Sequence, residues 1–546
     1  MALPLDTGAY SGRLIGRGGY AYDTGDGQLG IEDFQVMETY NATMVHMAIH
    51  GNTRNRFVSA LSTKGDDHGE YLKQAGLVSQ SEGRSDHDDI WFGGGWHSMK
   101  RLANSLIEEM YGSKPTYSYM HGCSGAGRNA IQNGLLDPSE WSGIAAMDFF
   151  EPVIGVVKGA RYVTPFYKGD LPASAYTLNV KLREFYCDSD SYGDGVKDTN
   201  AHWECDYNPN QFECGVKADA MKESIREYAE WVATNVNDTT CFSASETGIF
   251  GEMYTNGLRL MDGKKMWRMD DQQQELLGVL PMLDKTIAKG KSFVTWKEFQ
   301  RAAFMLVIGS TDHHPEIAKR IRDIATIEAD KFAAGQSYDE NKAVVDVFYG
   351  NDTKAFGDFF EARAKMSVIT HTPKTHFETF RKAGGKMILV THTGDELSTP
   401  ENGKLVWHNA WKALTGGTDR TAIDSFLRYY PIPSSGHCGS KEGELVYSRT
   451  SLDDVIKWVE EDTPPPVTNY TITTSMSKLN GGFIYEDAGF TYDTGVPMCP
   501  FPDTIRTING TATCVCLHNS SWGSYCTTLP AVSSTPSYRI NAVGHA

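Results

Sequence analysis

The stretch Tyr119-Met120-His121-Gly122-Cys123-Ser124-Gly125-Ala126-Gly127-Arg128 (YMHGCSGAGR) comes out of an apolar run and goes into a helix-like one. Ahead of it, TYSYM is rich in strand-forming aromatic residues; behind it, RNAIQNGLL has helical spacing. Further out, SMKRLANSLIEEMYG places Leu102, Leu106 and Met110 at helical intervals, DPSEW makes a turn, and SGIAAM supplies another short apolar run. Helix, strand, tight turn, helix and strand in succession are the pattern of a parallel sheet in an α/β protein.

The pattern resumes far downstream. KMILVTHTGDE reads as a short buried strand ending in a polar loop and ENGKLVWHNAWKAL as an amphipathic helix. FLRYYPIPSSGHCGS is a second strand with a polar loop, and LDDVIKWVEE a closing helix. Between the two blocks the composition shifts to long charged helices and a segment rich in cysteine and aspartate, which reads as an inserted lid domain. After DTPPPVT, a stiff proline-rich linker, the chain turns to Thr, Ser and Gly with four cysteines, the composition of a small disulfide-stapled appendage. The division expected is a core over residues 1–164 and 377–462, a mainly helical lid over 165–376, and a cysteine-rich tail over 463–546. No internal repeat is visible.

Bulk properties narrow the function classes. The 546 residues are 40% apolar with a formal net charge of −18, which argues for a globular protein and against a nucleic-acid or anionic-membrane partner. Ten cysteines, an even number, stand beside six glycosylation sequons at Asn41, Asn237, Asn351, Asn469, Asn509 and Asn519. Together they point to an oxidising, secretory route and an extracellular protein. The N-terminus MALPLDTGAYSG shows no signal peptide, and no apolar run reaches transmembrane length.

A serine set among glycines between a strand and a helix is how α/β-hydrolases present a nucleophile. A serine hydroxyl needs a base within hydrogen-bond reach and an acid that orients the base. The chain offers Ser124, Asp395 in HTGDELSTP and His437 in PSSGHCGS, in the order Ser, Asp, His, each after an expected strand. The pentad Gly122-Cys123-Ser124-Gly125-Ala126 departs from Gly-x-Ser-x-Gly only in ending on alanine. An oxyanion hole needs backbone N–H groups that bare glycines bring close to a carbonyl; Gly125 follows the nucleophile, and the pair Gly18 and Gly19 offers a second donor. Asp188 to Asn200 alternates carboxylates with small residues, so one tight loop can direct several hard oxygens at a Ca²⁺ ion. Cys123 precedes the candidate nucleophile and Cys438 follows the candidate base, so a bridge between them would tie the two loops together.

A catalytic serine and histidine each beside a cysteine, with the aspartate between, as in Cys123-Ser124, Asp395 and His437-Cys438, resembles the CS-D-HC pattern of the tannase and feruloyl esterase family. GRLIGRGGYA (Gly12 to Ala21) is similar to that family's oxyanion segment, DPSEWSGIAAMDF to the strand after its elbow, and CDSDSYGDGVKDTN to its lid calcium loop. The resemblance spans about Gly12 to Glu461. It implies an α/β-hydrolase core, a disulfide between Cys123 and Cys438, and oxyanion donors at Gly125 and Gly19 or Gly18. It also implies a structural calcium ion held by Asp194, Asp198 and the carbonyls of Val196 and Asn200, with Asp188 or Asp190 supplying a further carboxylate. The remaining cysteines then fall into two groups that can pair internally, Cys187, Cys205, Cys214 and Cys241 in the lid and Cys499, Cys514, Cys516 and Cys526 in the tail. Family members carry a substantial segment before the oxyanion motif, so the first strands of the sheet are expected to be absent or truncated here.

The function expected is hydrolysis of phenolic acid esters, galloyl esters of tannins or feruloyl and related esters of plant cell walls, by a secreted serine esterase. Other aromatic or small acyl esters are the alternative within that class. A hydrolase-like protein that binds plant glycans or phenolics without catalysis is the alternative outside it.

Overall fold

The computed structural model describes residues 1–4, 8–18, 31–47, 94–149, 170–187, 207–235, 240–255, 369, 372–392, 400–417, 420–432, 448–465, 470–471, 477–479, 482–484, 497–508 and 511–516. In chain order its elements begin with β1 (Arg13–Gly18), α1 (Ile31–Tyr40), β2 (Thr43–Met47), α2 (Gly94–Tyr111), β3 (Tyr117–Cys123), α3 (Gly125–Leu136) and β4 (Gly143–Met147). Four helices follow, α4 (Ala173–Cys187), α5 (Val216–Ser224), α6 (Arg226–Thr234) and α7 (Ala244–Thr255). The sheet then resumes with α8 (Lys374–Lys382), β5 (Lys386–His392), α9 (Pro400–Thr415), α10 (Thr421–Asp424), β6 (Leu427–Ile432) and α11 (Ser448–Glu460). The last described elements are short strands, β7 (Tyr470–Thr471), β8 (Ser477–Leu479), β9 (Gly482–Ile484), β10 (Pro497–Met498), β11 (Asp503–Ile508) and β12 (Thr511–Cys516).

Strands β1 to β6 form one sheet in the order β2-β1-β3-β4-β5-β6, and every neighbouring pair is parallel. A parallel sheet has to be covered on both faces, and its strands then read as nearly continuous apolar runs. Successive residues of these strands divide between two cores. Leu14, Val45, Met120, Ile144, Leu389 and Tyr429 belong to one, together with residues of α2, α3, α8 and α9. Ile15, Met44, Tyr119, Ala145, Val390 and Tyr430 belong to the other, with Tyr40 of α1 and Leu452, Val455 and Trp458 of α11. The fold is therefore a three-layer α/β arrangement, as the strand and helix succession in the sequence implies.

Helix α2 lies where the sequence places it. The spacing of Leu102, Leu106 and Met110 identifies a helix, but the face turned to the core is that of Ala103 and Ile107, both fully buried. Leu102 and Leu106 are 56% and 38% exposed. The small Ala103 side chain lets the helix lie close to the sheet, and the larger leucines flank that contact.

Between β4 and β5 the described helices pack around aromatic rings, among them Tyr176, Phe212, Tyr228, Phe242 and Phe250, all fully buried. Tyr228 meets Phe212 edge to face at 5.3 Å, and Phe250 contacts Tyr176 and Phe242 at 5.4 and 5.2 Å. A disulfide joins Cys214 and Cys241 across this group.

Polar contacts hold two distant parts of the chain to the sheet. At the start of β1, Arg13 donates from Nε and Nη2 to the two carboxylate oxygens of Glu460 at 2.7 Å each, and Tyr119 Oη donates to the same carboxylate at 2.8 Å. This ties the end of α11 to β1 and β3. Beyond the proline-rich stretch, Phe501 is 2% exposed within the first core, between Trp407 at 5.2 Å and Tyr429 at 5.7 Å. Its N–H donates to the Tyr429 carbonyl at 2.8 Å, and Arg420 Nη1 donates to Asp503 Oδ1 at 2.7 Å. A disulfide between Cys499 and Cys514 staples this segment, in which β11 and β12 pair as an antiparallel ribbon.

Phe501→Ala is expected to destabilise the protein by roughly 3–5 kcal/mol, the usual cost of emptying a buried phenylalanine site, seen as a lower thermal midpoint. Burial alone would raise the Glu460 carboxyl, but the Arg13 and Tyr119 hydrogen bonds hold it below its ordinary value of 4.5. Its stabilisation is therefore complete above the unfolded-state value and lost as pH falls through the lower folded-state value. Glu460→Gln should lower stability at about pH 7 by roughly 1–2 kcal/mol, between the values for exposed and buried pairs. In urea titrations the gap to the parent should narrow at about pH 3.5; an equal gap at both would show that the charge of Glu460 is not what binds the helix.

Candidate active site

Strand β3 and helix α3 are joined at a single residue, Ser124, with φ 62° and ψ −126°. An L side chain rarely adopts this conformation; it costs of order 1–3 kcal/mol and persists only where the surroundings impose it. The surroundings do. The Ser124 N–H donates to the Met147 carbonyl at the end of β4 (3.0 Å), and its own carbonyl accepts the Arg128 N–H (3.0 Å), which starts the helix. The serine side chain makes no capping hydrogen bond to α3.

The flanking glycines explain the local sequence. A Cβ on Gly122 would lie 2.4 Å from the Ala126 Cβ, and one on Gly127 would lie 2.7 Å from the Met147 carbonyl oxygen and 2.9 Å from that of Gly122. The alanine that ends the pentad is thus accommodated by the glycine that begins it, and Gly127 lets the helix lie against the backbone at the end of β4. Gly125 is the first residue of α3 and is buried, so its N–H belongs to the helix turn whose amides lack intrahelical acceptors.

Register brings one other expected site residue, Gly18, to the same edge. Arg17 of β1 lies opposite His121, so Gly18 ends β1 beside the last residues of β3. The strand order reverses direction about β1, with β2 on one side and β3 on the other, the kind of switch point where a crevice opens at the carboxyl ends of strands. Asp395 lies three residues beyond His392, the last of β5, and His437 five beyond Ile432, the last of β6. Both are outside the described residues, as are Gly19 and Cys438; the strands that deliver them end at the edge where Ser124 sits. With neighbouring strands about 4.8 Å apart, the β6 loop has to return roughly 14 Å to reach the serine.

Cys123 is disulfide-bonded. The calcium-loop positions Asp188, Asp190, Asp194, Val196, Asp198 and Asn200 also lie outside the described residues, among which no cluster of His, Cys, Asp or Glu could hold a metal. Of the sequons, only Asn41 is described; it is exposed in the turn between α1 and β2, with φ 47°. Asn237, Asn351, Asn469, Asn509 and Asn519 are not. Among the described residues no helix is long and apolar enough to cross a membrane.

Sequence reasoning passed over one pair. Asp148, directly after β4, and His392, at the end of β5, are both fully buried and joined by a 2.6 Å contact from Oδ2 to Nδ1. The signal that singled out Asp395, an acid just after an apolar strand, is equally present in SGIAAMD.

Gly127→Ala should cost more than Gly122→Ala, each by a few kcal/mol as overpacking does, because the first meets backbone oxygens that cannot turn away. Adding Ala126→Gly should restore part of the thermal stability of the Gly122→Ala variant and none of that of Gly127→Ala. Equal recovery in both would show that the pentad contact is not what sets the elbow.

A family model described as tannase and feruloyl esterase matches residues 62–516. No curated protein matches the chain. Among solved structures, a tannin acyl hydrolase from Aspergillus niger aligns at 16% identity over 95% of this chain and 83% of its own, with a TM-score of 0.56. An esterase from Aspergillus oryzae aligns at 17% over 93% of this chain and 85% of its own, with a TM-score of 0.53. Feruloyl esterase B from Aspergillus oryzae aligns at 16% over 93% and 85%, with a TM-score of 0.51. At these identities the structural likeness establishes the fold, and the family model establishes descent over most of the chain.

Proposed function

The chain belongs to the tannase and feruloyl esterase family, a family of carboxylic ester hydrolases, and from that premise we propose that it is a secreted serine esterase acting on phenolic acid esters. The acyl group is galloyl, as in tannins, or feruloyl and related cinnamoyl groups on plant cell walls. The observation that carries the reading is the strained, positive-φ placement of Ser124 between β3 and α3, with a disulfide-bonded cysteine immediately before it.

In the reaction, His437, oriented by Asp395, takes the proton of Ser124 as Oγ attacks the ester carbonyl. The N–H groups of Gly125 and of Gly19 or Gly18 receive the oxyanion. His437 then protonates the departing alcohol, and a water molecule, deprotonated by the same histidine, releases the acid from Ser124. Cys438 is the proposed partner of Cys123, a bond that would hold the base loop against the nucleophile elbow. Residues 165–376 act as a lid and supply contacts to the phenolic ring, and 463–546 form the cysteine-rich tail. The carboxylates and carbonyls of the segment from Asp188 to Asn200 are the hard oxygens calcium prefers. An ion there would brace the lid, and no chemical step passes through it. The disulfides of the described residues fit passage through an oxidising compartment and an extracellular site of action.

Hydrolysis of methyl gallate and methyl ferulate, run beside Ser124→Ala, tests the proposal. Turnover should fall on the order of a million-fold in the variant, as when nucleophiles are removed from serine hydrolases. The preferred ester separates tannase from feruloyl esterase action, and near-normal turnover by Ser124→Ala would refute the assignment. Covalent labelling by a fluorophosphonate separates a working serine from a phenolic-binding protein that has lost catalysis.

A further inference from the structure

Asp148 is where β4 leaves the sheet, and it carries two local costs that a connecting residue does not need. Its backbone is left-handed, at φ 40°, and its carboxyl is fully buried. A non-glycine residue with positive φ, and a carboxylate removed from water, each persist only where their surroundings compensate.

Part of the compensation comes from one neighbour. Oδ1 accepts the backbone N–H of His392 at 2.7 Å, and Oδ2 lies 2.6 Å from Nδ1 of the same residue. A single proton joins these two atoms, and a carboxylate there would accept it from Nδ1. The same Oδ2 is 3.9 Å from Cys123 Sγ, which is part of a disulfide and has no proton to donate, so the carboxylate there packs against sulfur. The backbone completes the junction. The Asp148 N–H donates to the Val390 carbonyl at 2.9 Å, while the carbonyl of the preceding Met147 holds the Ser124 N–H.

We infer that Asp148, acting with His392, is the positioning pair of the active site. Its carboxylate grips the last residue of β5 by backbone and ring while touching the sulfur beside the nucleophile, and so fixes the root of the Asp395 loop relative to Ser124. Asp395 follows three residues later, close enough in the chain for a displacement at His392 to reach it. Misplacing a catalytic group by about 1 Å costs roughly a hundredfold in rate. The inference deepens the serine-esterase reading and rests on it.

The test is Asp148→Asn in the full-length protein, with kcat and KM on the preferred methyl ester and fluorophosphonate labelling to count reactive serines. The amide keeps an acceptor for the His392 N–H and the volume of the side chain while removing the charge. Expected are a kcat per labelled serine lower by roughly ten- to a hundredfold, a KM within about twofold, and undiminished final labelling. Parent-like kcat per labelled serine would overturn the inference, and so would a loss of activity that only follows a loss of labelled protein.

A second pair of variants keeps the question answerable if Asp148→Asn does not fold. In His392→Asn the amide nitrogen stands where Nδ1 stood, whereas His392→Leu donates nothing from its side chain. The asparagine variant should exceed the leucine variant by at least about tenfold in kcat, a difference of the size tied to orienting a reacting group; equal rates overturn the inference. Ser124→Ala is the separate control on the underlying reading. If it still labels and turns over, the nucleophile lies elsewhere and the positioning role falls with it, whatever the Asp148 variants do.

Discussion

How closely helix α3 can approach the end of β4 governs the whole carboxyl edge of the sheet. The approach is set by a missing methyl: Gly127 leaves room for the Met147 carbonyl, and that carbonyl in turn captures the Ser124 N–H. With the amide fixed there and the helix beginning one residue later, Ser124 has to take its positive φ. The strain is thus imposed by a backbone contact between two parallel strands and the helix that connects them. It follows that the placement of the serine at the sheet edge is inherited from the packing of the core.

The same economy recurs around the sheet. Because both faces are buried, each strand serves two cores at once, and charged groups are confined to its ends. At the amino end, the contact of Arg13 and Tyr119 with Glu460 closes α11 over the second core. At the carboxyl end, Asp148 and His392 occupy the corresponding place between β4 and β5. Part-buried charge at one end maintains the architecture, and at the other a buried carboxyl borders the proposed active site.

Strands and helices were legible where periodicity and composition agreed. The run from β3 through α3 to β4, and the later run from β5 to α11, follow from apolar strands alternating with helical spacings, and the glycines around Ser124 mark the turn. The buried face of α2 was not legible, because Leu102 and Leu106 look more core-like than Ala103, and only packing distance favours the smaller residue. The pairing of Asp148 with His392 was also hidden. It depends on β4 and β5 being neighbours, and the chain between them is long enough to obscure that adjacency. Phe501 escaped for a related reason: a phenylalanine after a proline-rich stretch resembles part of an appendage, and its place beside Trp407 and Tyr429 is a matter of tertiary docking alone.

The position of Phe501 also dictates an order of assembly. During synthesis β4 leaves the ribosome long before β5, and the first core, which Leu14 enters near the start of the chain, lacks its last aromatic ring until the segment around Cys499–Cys514 has followed. The edge of β4 therefore stays open until β5 is made, and the place beside Trp407 stays open until Phe501 follows. Contacts this distant in sequence make folding slow and leave intermediates prone to association. The disulfide of this ribbon joins cysteines on either side of Phe501, so it can form only after the ring that completes the core has been made.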